Sequence, residues 1–338
     1  MSHPCLLVSL STCFLVSLFP CFLVSLFPHR SHTMYDLLII GGGPAGLTAA
    51  VYAIRKRLNC VLVSPDLGGK ALARMHVETM DIHQVINGAD LVHRFRDEIE
   101  YLDFARILET VVKLERVGKS FAATTSSGTH LEARTVILAT GADATRLSAP
   151  GADRFFLRGV AYSTVSYAPL YIDKTVALIG DGALALRSGG ELAQIVKQLY
   201  WVAPSGGELD SPLGRRLRDT AHVTLLKEWE PAAVEGDTFA RQLVVRSRSG
   251  ELRTLGVDAI FVELGLKPHS ELVRGWVELD HENRVIVNCS TETNVPGLFA
   301  AGDVTNLPAE QVVIAIGEGA KAALNAYEYL IQTEWAAT

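Results

Sequence analysis

Gly41-Gly42-Gly43-Pro44-Ala45-Gly46 follows directly on the apolar run Leu37 to Ile40, and Ile179-Gly180-Asp181-Gly182-Ala183-Leu184-Ala185 follows on Val176 to Leu178. A strand that ends in a glycine turn and leads into a helix aims unsatisfied N–H groups, and the positive end of the helix dipole, at whatever sits above the turn. A phosphate or pyrophosphate suits that position. In the first turn Gly41 permits the tight bend, Gly43 lets the backbone approach a pyrophosphate, and Gly46 lets the helix that follows lie close to its strand. Such a turn can also be only a turn. Here the flanks supply an apolar strand, a helix to about Arg57 with Leu47, Val51 and Ile54 on its apolar face, and a second strand Cys60 to Val63, which is the unit a dinucleotide motif needs. The acid expected at the end of the second strand to meet a ribose is displaced: Ser64 stands there, and Asp66 follows two residues later.

The elements that must position these turns follow from the rest of the chain. Strand and helix signals alternate from Met34 onward, which predicts an α/β fold with parallel sheets and two Rossmann-like dinucleotide-binding domains. Polar or turn-forming boundaries near Pro150-Gly151 and Asp280 to Asn283 divide the chain into 34–151, 152–278 and 279–338, with the middle segment inserted into a discontinuous first domain. The 338 residues carry a formal net charge of −6, and the basic residues do not cluster with aromatics, so nucleic-acid binding has no support. His76, His83 and His93 lack metal-ligand spacing, and no metal is expected. Cys60 and Cys289 form no pair close in sequence and read as small buried hydrophobes, which fits a reducing, cytoplasmic setting.

Further motifs follow in order. They are Gly68-Gly69 with Lys70 behind it, Ala139-Thr140-Gly141 after the run Val136 to Leu138, Gly265-Leu266-Lys267-Pro268, Gly302-Asp303 within Asn294 to Val304, and a helix opening Gln311-Val312-Val313. From Met34 to about Leu330 the chain resembles the thioredoxin-reductase-like branch of the two-dinucleotide-domain flavoproteins. The resemblance implies FAD on the first fold, held by Gly41, Gly43, Pro44, Ala45 and Gly46, with Asp66, Gly69, Lys70, Ala139, Thr140 and Gly141 beside them. It places Gly302-Asp303 against the ribityl-phosphate region and Gln311 to Val313 at the start of a helix pointing at the pyrimidine edge of the flavin. A helix N-terminus there favours an anionic reduced flavin. A homodimer is implied as well.

Two departures from that family matter. Where its thioredoxin reductases carry Cys-x-x-Cys, this chain has Ser163 and Ser166, and Tyr167 replaces the acid that usually follows. A serine hydroxyl forms no disulfide, so dithiol exchange is not expected here. In the second turn, Gly180, Gly182 and Ala185 keep a nicotinamide-dinucleotide pattern, yet Asp181 places a carboxylate inside it, repulsive to a pyrophosphate unless it points away. After the next strand, Ala203-Pro204-Ser205 replaces the arginines that hold a 2′-phosphate in NADPH-selective relatives, and no ribose-binding acid stands there either. Arg215 and Arg216 either reach in or are solvated surface residues. Nicotinamide binding therefore stays open. The expected function is an FAD-dependent oxidoreductase without a dithiol relay, linked to NAD(P)H or ferredoxin, with ferredoxin, flavodoxin or another small redox protein as partner. Its nearest functional counterpart is the group of ferredoxin/flavodoxin–NADP reductases that share this architecture. The alternatives are a flavin-binding module without turnover and a disulfide reductase that uses a partner's thiols.

The first 33 residues differ from the rest. Cys13 to Pro20 is repeated as Cys21 to Pro28, after the related Cys5 to Thr12. Met34-Tyr35-Asp36 opens the first strand, so residues 1–33 read as a segment annexed ahead of the true start. The other reading is a membrane span, because Cys5 to Pro28 holds no charge. In that case Arg30, the nearest positive charge, keeps the body cytoplasmic.

Overall fold

A computed structural model of the chain describes residues 34–72, 75–76, 88–101, 105–207, 209–307 and 309–335. The repeat at Cys5 to Pro28 and His83 lie outside them. The chain opens with β1 (Tyr35–Ile40), β2 (Cys60–Val63), β3 (Arg106–Ile107), β4 (Val111–Val117), β5 (Ser120–Thr125) and β6 (His130–Leu138), in the spatial order β3-β2-β1-β6-β5-β4. The short strand β7 (Ala142–Ala144) follows. β8 (Val160–Ala161), β9 (Thr175–Ile179), β10 (Gln198–Ala203) and β11 (Val223–Lys227) belong to a second sheet. After the antiparallel strands β12 (Trp229–Gly236), β13 (Ala240–Ser247) and β14 (Leu252–Gly256), β15 (Ala259–Val262) completes that sheet in the parallel order β11-β10-β9-β15-β8. β16 (Leu266–Pro268) pairs with β7, and β17 (Leu298–Ala300) returns to the first sheet, parallel to β6. The helices are α1 (Pro44–Arg55), α2 (Gly88–Tyr101), α3 (Thr164–Tyr167), α4 (Ala183–Ile195), α5 (Pro212–Arg218) and α6 (Val312–Trp335).

Side-chain alternation on β1 decides what each face of the first sheet meets. Leu38 and Ile40 join Val61, Val63, Val136 and Leu138 on one face. Leu37 and Ile39 face the other way, onto Leu47 and Val51 of α1 and Ala322, Ala323 and Ala326 of α6. A one-residue slip of register would exchange the two sets. The second sheet divides likewise: Ala177, Ile179, Val202 and Ile260 pack on Leu243 and Val245 of β13, and Leu178, Trp201 and Phe261 pack with Leu186 and Leu192 of α4.

Two expectations change at element ends. α1 stops at Arg55 rather than about Arg57, because Arg57 adopts φ +60°. The Leu58 N–H then bonds the Ala53 carbonyl at 3.1 Å and the Arg57 N–H bonds that of Ile54 at 2.8 Å, a left-handed closure that satisfies the last carbonyls. Cys60 is buried, and burial, reinforced by Asp36, pushes its thiol up to about 12. Cys289 is not a buried hydrophobe. It sits on the turn closed by the Thr291 N–H on the Asn288 carbonyl, outside both sheets, and is exposed. Among the described residues no helix is long and apolar enough to cross a membrane, and no group of three His, Cys, Asp or Glu residues is placed to hold a metal ion.

α1 and α6 approach so closely that a Cβ on Gly319 would lie 2.0 Å from the Ala45 carbonyl oxygen, whereas one on Gly317 would meet open space. Gly319→Val is therefore expected to cost about 2 kcal/mol or more through overpacking against backbone. Gly317→Ala should be neutral or stabilising by up to about 1 kcal/mol through helix propensity. Denaturant unfolding of the two variants checks the contrast.

Candidate functional site

The first glycine turn is a cradle open on one side. Gly43 is the N-cap of α1, with no side chain capping the helix, and Pro44 occupies the first turn. A Cβ built on Gly43 meets nothing within 4 Å, while one on Gly46 would stand 1.8 Å from the Gly41 carbonyl oxygen and 3.5 Å from the Ala139 Cβ. The turn is thus packed from below and open above, with its N–H groups aimed at the opening. Gly69 lies beside Gly43, and Gly302 packs on Ala45. Asp66 Oδ1 accepts the Gly69 N–H at 3.1 Å, so this carboxylate shapes the loop next to the cradle. Thr140 Oγ1 donates to the His269 carbonyl at 2.6 Å, and the Gly141 carbonyl accepts the His269 N–H at 3.0 Å, which ties the end of β6 to the segment after β16.

Lys70 gathers three segments around the cradle. Its Nζ donates to the Ala142 carbonyl at 2.8 Å and pairs with Asp303 Oδ2 at 2.8 Å and Glu310 Oε2 at 3.1 Å. Desolvation pulls the ammonium down, but the two carboxylates outweigh it and hold its pKa above the ordinary lysine value. Glu310 is pushed up by burial and by the like charge of Asp303, against the pull of Lys70. Sequence reasoning passed over Glu310; its signal is its place immediately before the helix-opening Gln311. Gln311 Nε2 is buried with no hydrogen-bond partner among the described residues, a donor left for a ligand's acceptor. Val312 packs into the core beneath, and Val313 is exposed. An open phosphate cradle, an uncapped helix and an orphaned amide donor fit a bound FAD.

The second turn repeats the scheme with one change. Gly182 caps α4 with no side-chain bond, and a Cβ on it would meet open space. Ala185 is buried against Gly180, whose carbonyl accepts the Trp201 Nε1 proton at 2.8 Å. Asp181 points away from the mouth of the turn, toward the loop after β10: its Oδ2 accepts from the Ser205 N–H at 2.5 Å, the Ser205 hydroxyl at 2.8 Å and the Gly206 N–H at 2.8 Å. Arg215 donates to the Asp210 carbonyl, and Arg216 is exposed on α5.

The serine pair sits with the second sheet, not in the first cradle. Ser163 Oγ donates to Ser166 Oγ at 2.9 Å across the start of α3. Beneath it lies Glu263, 5% exposed, which sequence reasoning missed although an acid ending the apolar run Ile260 to Val262 marks a buried carboxyl. Its Oε1 accepts from the Thr164 N–H at 2.8 Å, the Thr164 hydroxyl at 2.6 Å and the Ser188 hydroxyl at 3.2 Å, joining α3 to α4. Burial raises its pKa against those three bonds and Arg187. Burial also raises the Tyr167 phenol.

Because only open space lies above Gly43, Gly43→Leu should fold with near-wild-type thermal stability yet lose bound FAD, read from the visible absorbance of the purified protein. A raised carboxyl stabilises the fold fully below the ordinary glutamate value of about 4.3 and loses that contribution as pH rises through the raised value. The contribution of Glu263 to stability should accordingly decline from that range upward, and Glu263→Gln, which keeps an acceptor for all three donors, should remove that component from the denaturant midpoints measured against pH.

Residues 35–319 match the family described as pyridine nucleotide-disulphide oxidoreductase. The F subunit of alkyl hydroperoxide reductase in Pseudomonas aeruginosa is 35% identical over 307 residues, and its Escherichia coli counterpart 35% over 316 residues; these alignments cover 88% and 89% of this chain. The chain spans 59% of the length of each of those relatives. Among solved structures, thioredoxin reductase from Streptococcus pyogenes aligns with a TM-score of 0.80 at 28% identity, covering 89% of this chain and 100% of that one. The Giardia duodenalis thioredoxin reductase aligns at 0.81 and 25%, with the same coverage. With its two dinucleotide turns and the fold around them, the chain belongs to the pyridine nucleotide-disulphide oxidoreductase family, whose cofactor is FAD.

Proposed function

We propose that the chain is an FAD-dependent oxidoreductase that passes electrons through its flavin directly to a docked partner or small acceptor, with no dithiol relay of its own. The observation that carries this reading is the Ser163–Ser166 pair: two hydroxyls 2.9 Å apart, hydrogen-bonded to each other, where the resemblance implies a redox disulfide. FAD, when bound, supplies the two-electron chemistry. The chain's own residues bind and orient it. N–H groups at the start of α1 meet the pyrophosphate, the Lys70 cluster holds Asp303 and Glu310 in place, and Gln311 offers its amide. The N-terminus of α6 favours negative charge beside it. Buried Glu263 fixes the backbone of the serine segment.

On this reading residues 34–151 and 279–338 form the FAD domain, with 152–278 as the second dinucleotide domain, and the return of β17 to the first sheet supports that division. The donor is NADPH, NADH or reduced ferredoxin, the working form is a homodimer, and the setting is cytoplasmic. Anaerobic titration of the flavin-loaded protein with each donor tests the proposal: at least one should bleach the flavin at a catalytically useful rate, and NADPH-driven reduction of thioredoxin disulfide should stay at background. A flavin that no donor reduces, or robust thioredoxin reduction by the unmodified chain, overturns it.

A further inference from the structure

The two glycine turns share one plan, so they can be compared position by position. The Gly41 N–H bonds the Val63 carbonyl at 2.9 Å, and the Gly180 N–H bonds the Val202 carbonyl at 3.0 Å. Val63 therefore corresponds to Val202, Asp66 to Ser205 and Gly68 to Gly207, and the middle residues of the turns, Gly42 and Asp181, correspond to each other. In the first fold the loop after the second strand closes on the middle residue: a Cβ on Gly42 would stand 2.1 Å from the Asp66 carbonyl oxygen and 2.8 Å from Ser64 Oγ. In the second fold that loop lies equally close, with a Cβ on Gly207 only 2.0 Å from the Asp181 carbonyl oxygen. Here the middle residue carries a side chain, and its carboxylate has been turned onto the loop's own donors.

Those donors, the Ser205 and Gly206 N–H groups and the Ser205 hydroxyl, all go to one oxygen of Asp181, at 2.5 to 2.8 Å. They stand at the end of the second strand of a dinucleotide fold, the place where the adenosine ribose of a nicotinamide dinucleotide, or its 2′-phosphate, is held. The stem of Lys227 reaches the same corner, since a Cβ on Gly206 would lie 2.9 Å from its Cε. The corner thus has the donors and a cation that suit a phosphorylated ribose, and the chain's own carboxylate already occupies them.

We propose that Asp181 is a specificity-determining residue that keeps nicotinamide dinucleotides, the 2′-phosphorylated ones above all, off the second fold. The carboxylate competes with the ribose for the loop donors and repels a 2′-phosphate at that corner by charge. This deepens the proposed function and rests on it in one respect: it narrows the electron donor to one that does not use this cleft.

Titration calorimetry of NAD+ and NADP+ into the flavin-loaded protein tests the inference, with FAD content read separately from the visible spectrum. Asp181→Gly installs the residue that the first fold uses at this position. It should tighten both dinucleotides at least tenfold. Asp181→Asn keeps an acceptor for the loop but removes the charge, and should tighten NADP+ by a larger factor than NAD+. Near-wild-type melting of either variant shows that the fold has survived, and Asp181→Asn, the smaller change, carries the test if Asp181→Gly does not fold. A wild type that binds NADP+ as tightly as Asp181→Asn overturns the inference, and so do variants that bind neither dinucleotide. A flavin-loaded wild type whose flavin no donor reduces faults the proposed function instead and leaves the dinucleotide titration, which reads binding and not reduction, to stand.

Discussion

The first turn of α1 cannot satisfy its own N–H groups, and much of the structure exists to keep that turn open on one side and filled on every other. Gly46 and Gly319 let backbone press against backbone beneath it. β1 carries Leu37 and Ile39 toward α1 and α6, so the sheet and both helices are locked into one orientation by a single face of one strand. Among the described residues nothing lies within 4 Å of a Cβ placed on Gly43. A polar, uncapped helix end in a tightly packed surrounding is costly unless a ligand completes it, and a pyrophosphate does so with both charge and hydrogen-bond acceptors.

Around that opening, charge converges on a single group. One ammonium, Lys70, holds two carboxylates from the C-terminal part of the chain, Asp303 and Glu310, and the carbonyl that begins β7. Removing the cation would leave two half-buried acids facing each other, so the cluster works as a unit. It links the loop after β2 to the approach of α6, the helix preceded by Gln311, whose amide nitrogen is buried with no hydrogen-bond partner among the described residues.

The second fold uses the same backbone scheme for a different balance of charge. Its middle turn residue is an acid that the loop after β10 already satisfies, and its α3–α4 contact rests on another acid, Glu263, buried under the serine pair. Where redox sulfur is implied by the resemblance, two hydroxyls satisfy each other. The polar groups of this half are therefore largely engaged with one another, whereas the first half keeps an uncapped helix start at Gly43 beside its own ion-pair cluster.

Much of this was legible in the order of residues. Apolar alternation and the glycine spacings determined the α/β class, the two turns and the helices that follow them, because period and turn chemistry are local properties. That Ser163 and Ser166 stand where the resemblance implies a redox Cys-x-x-Cys was equally plain, since a side chain's chemistry does not depend on its surroundings for what it lacks. What the sequence could not settle was direction and company. Whether Asp181 faced the pyrophosphate or the loop after β10, whether Cys289 was buried, and which acids Lys70 would meet across more than two hundred residues depended on chain segments brought together only by the packing of the sheets. Glu310 and Glu263 belong to the same class: each is one acid among many until the tertiary structure places it beside Lys70 or under Thr164, where burial and partners give it a role.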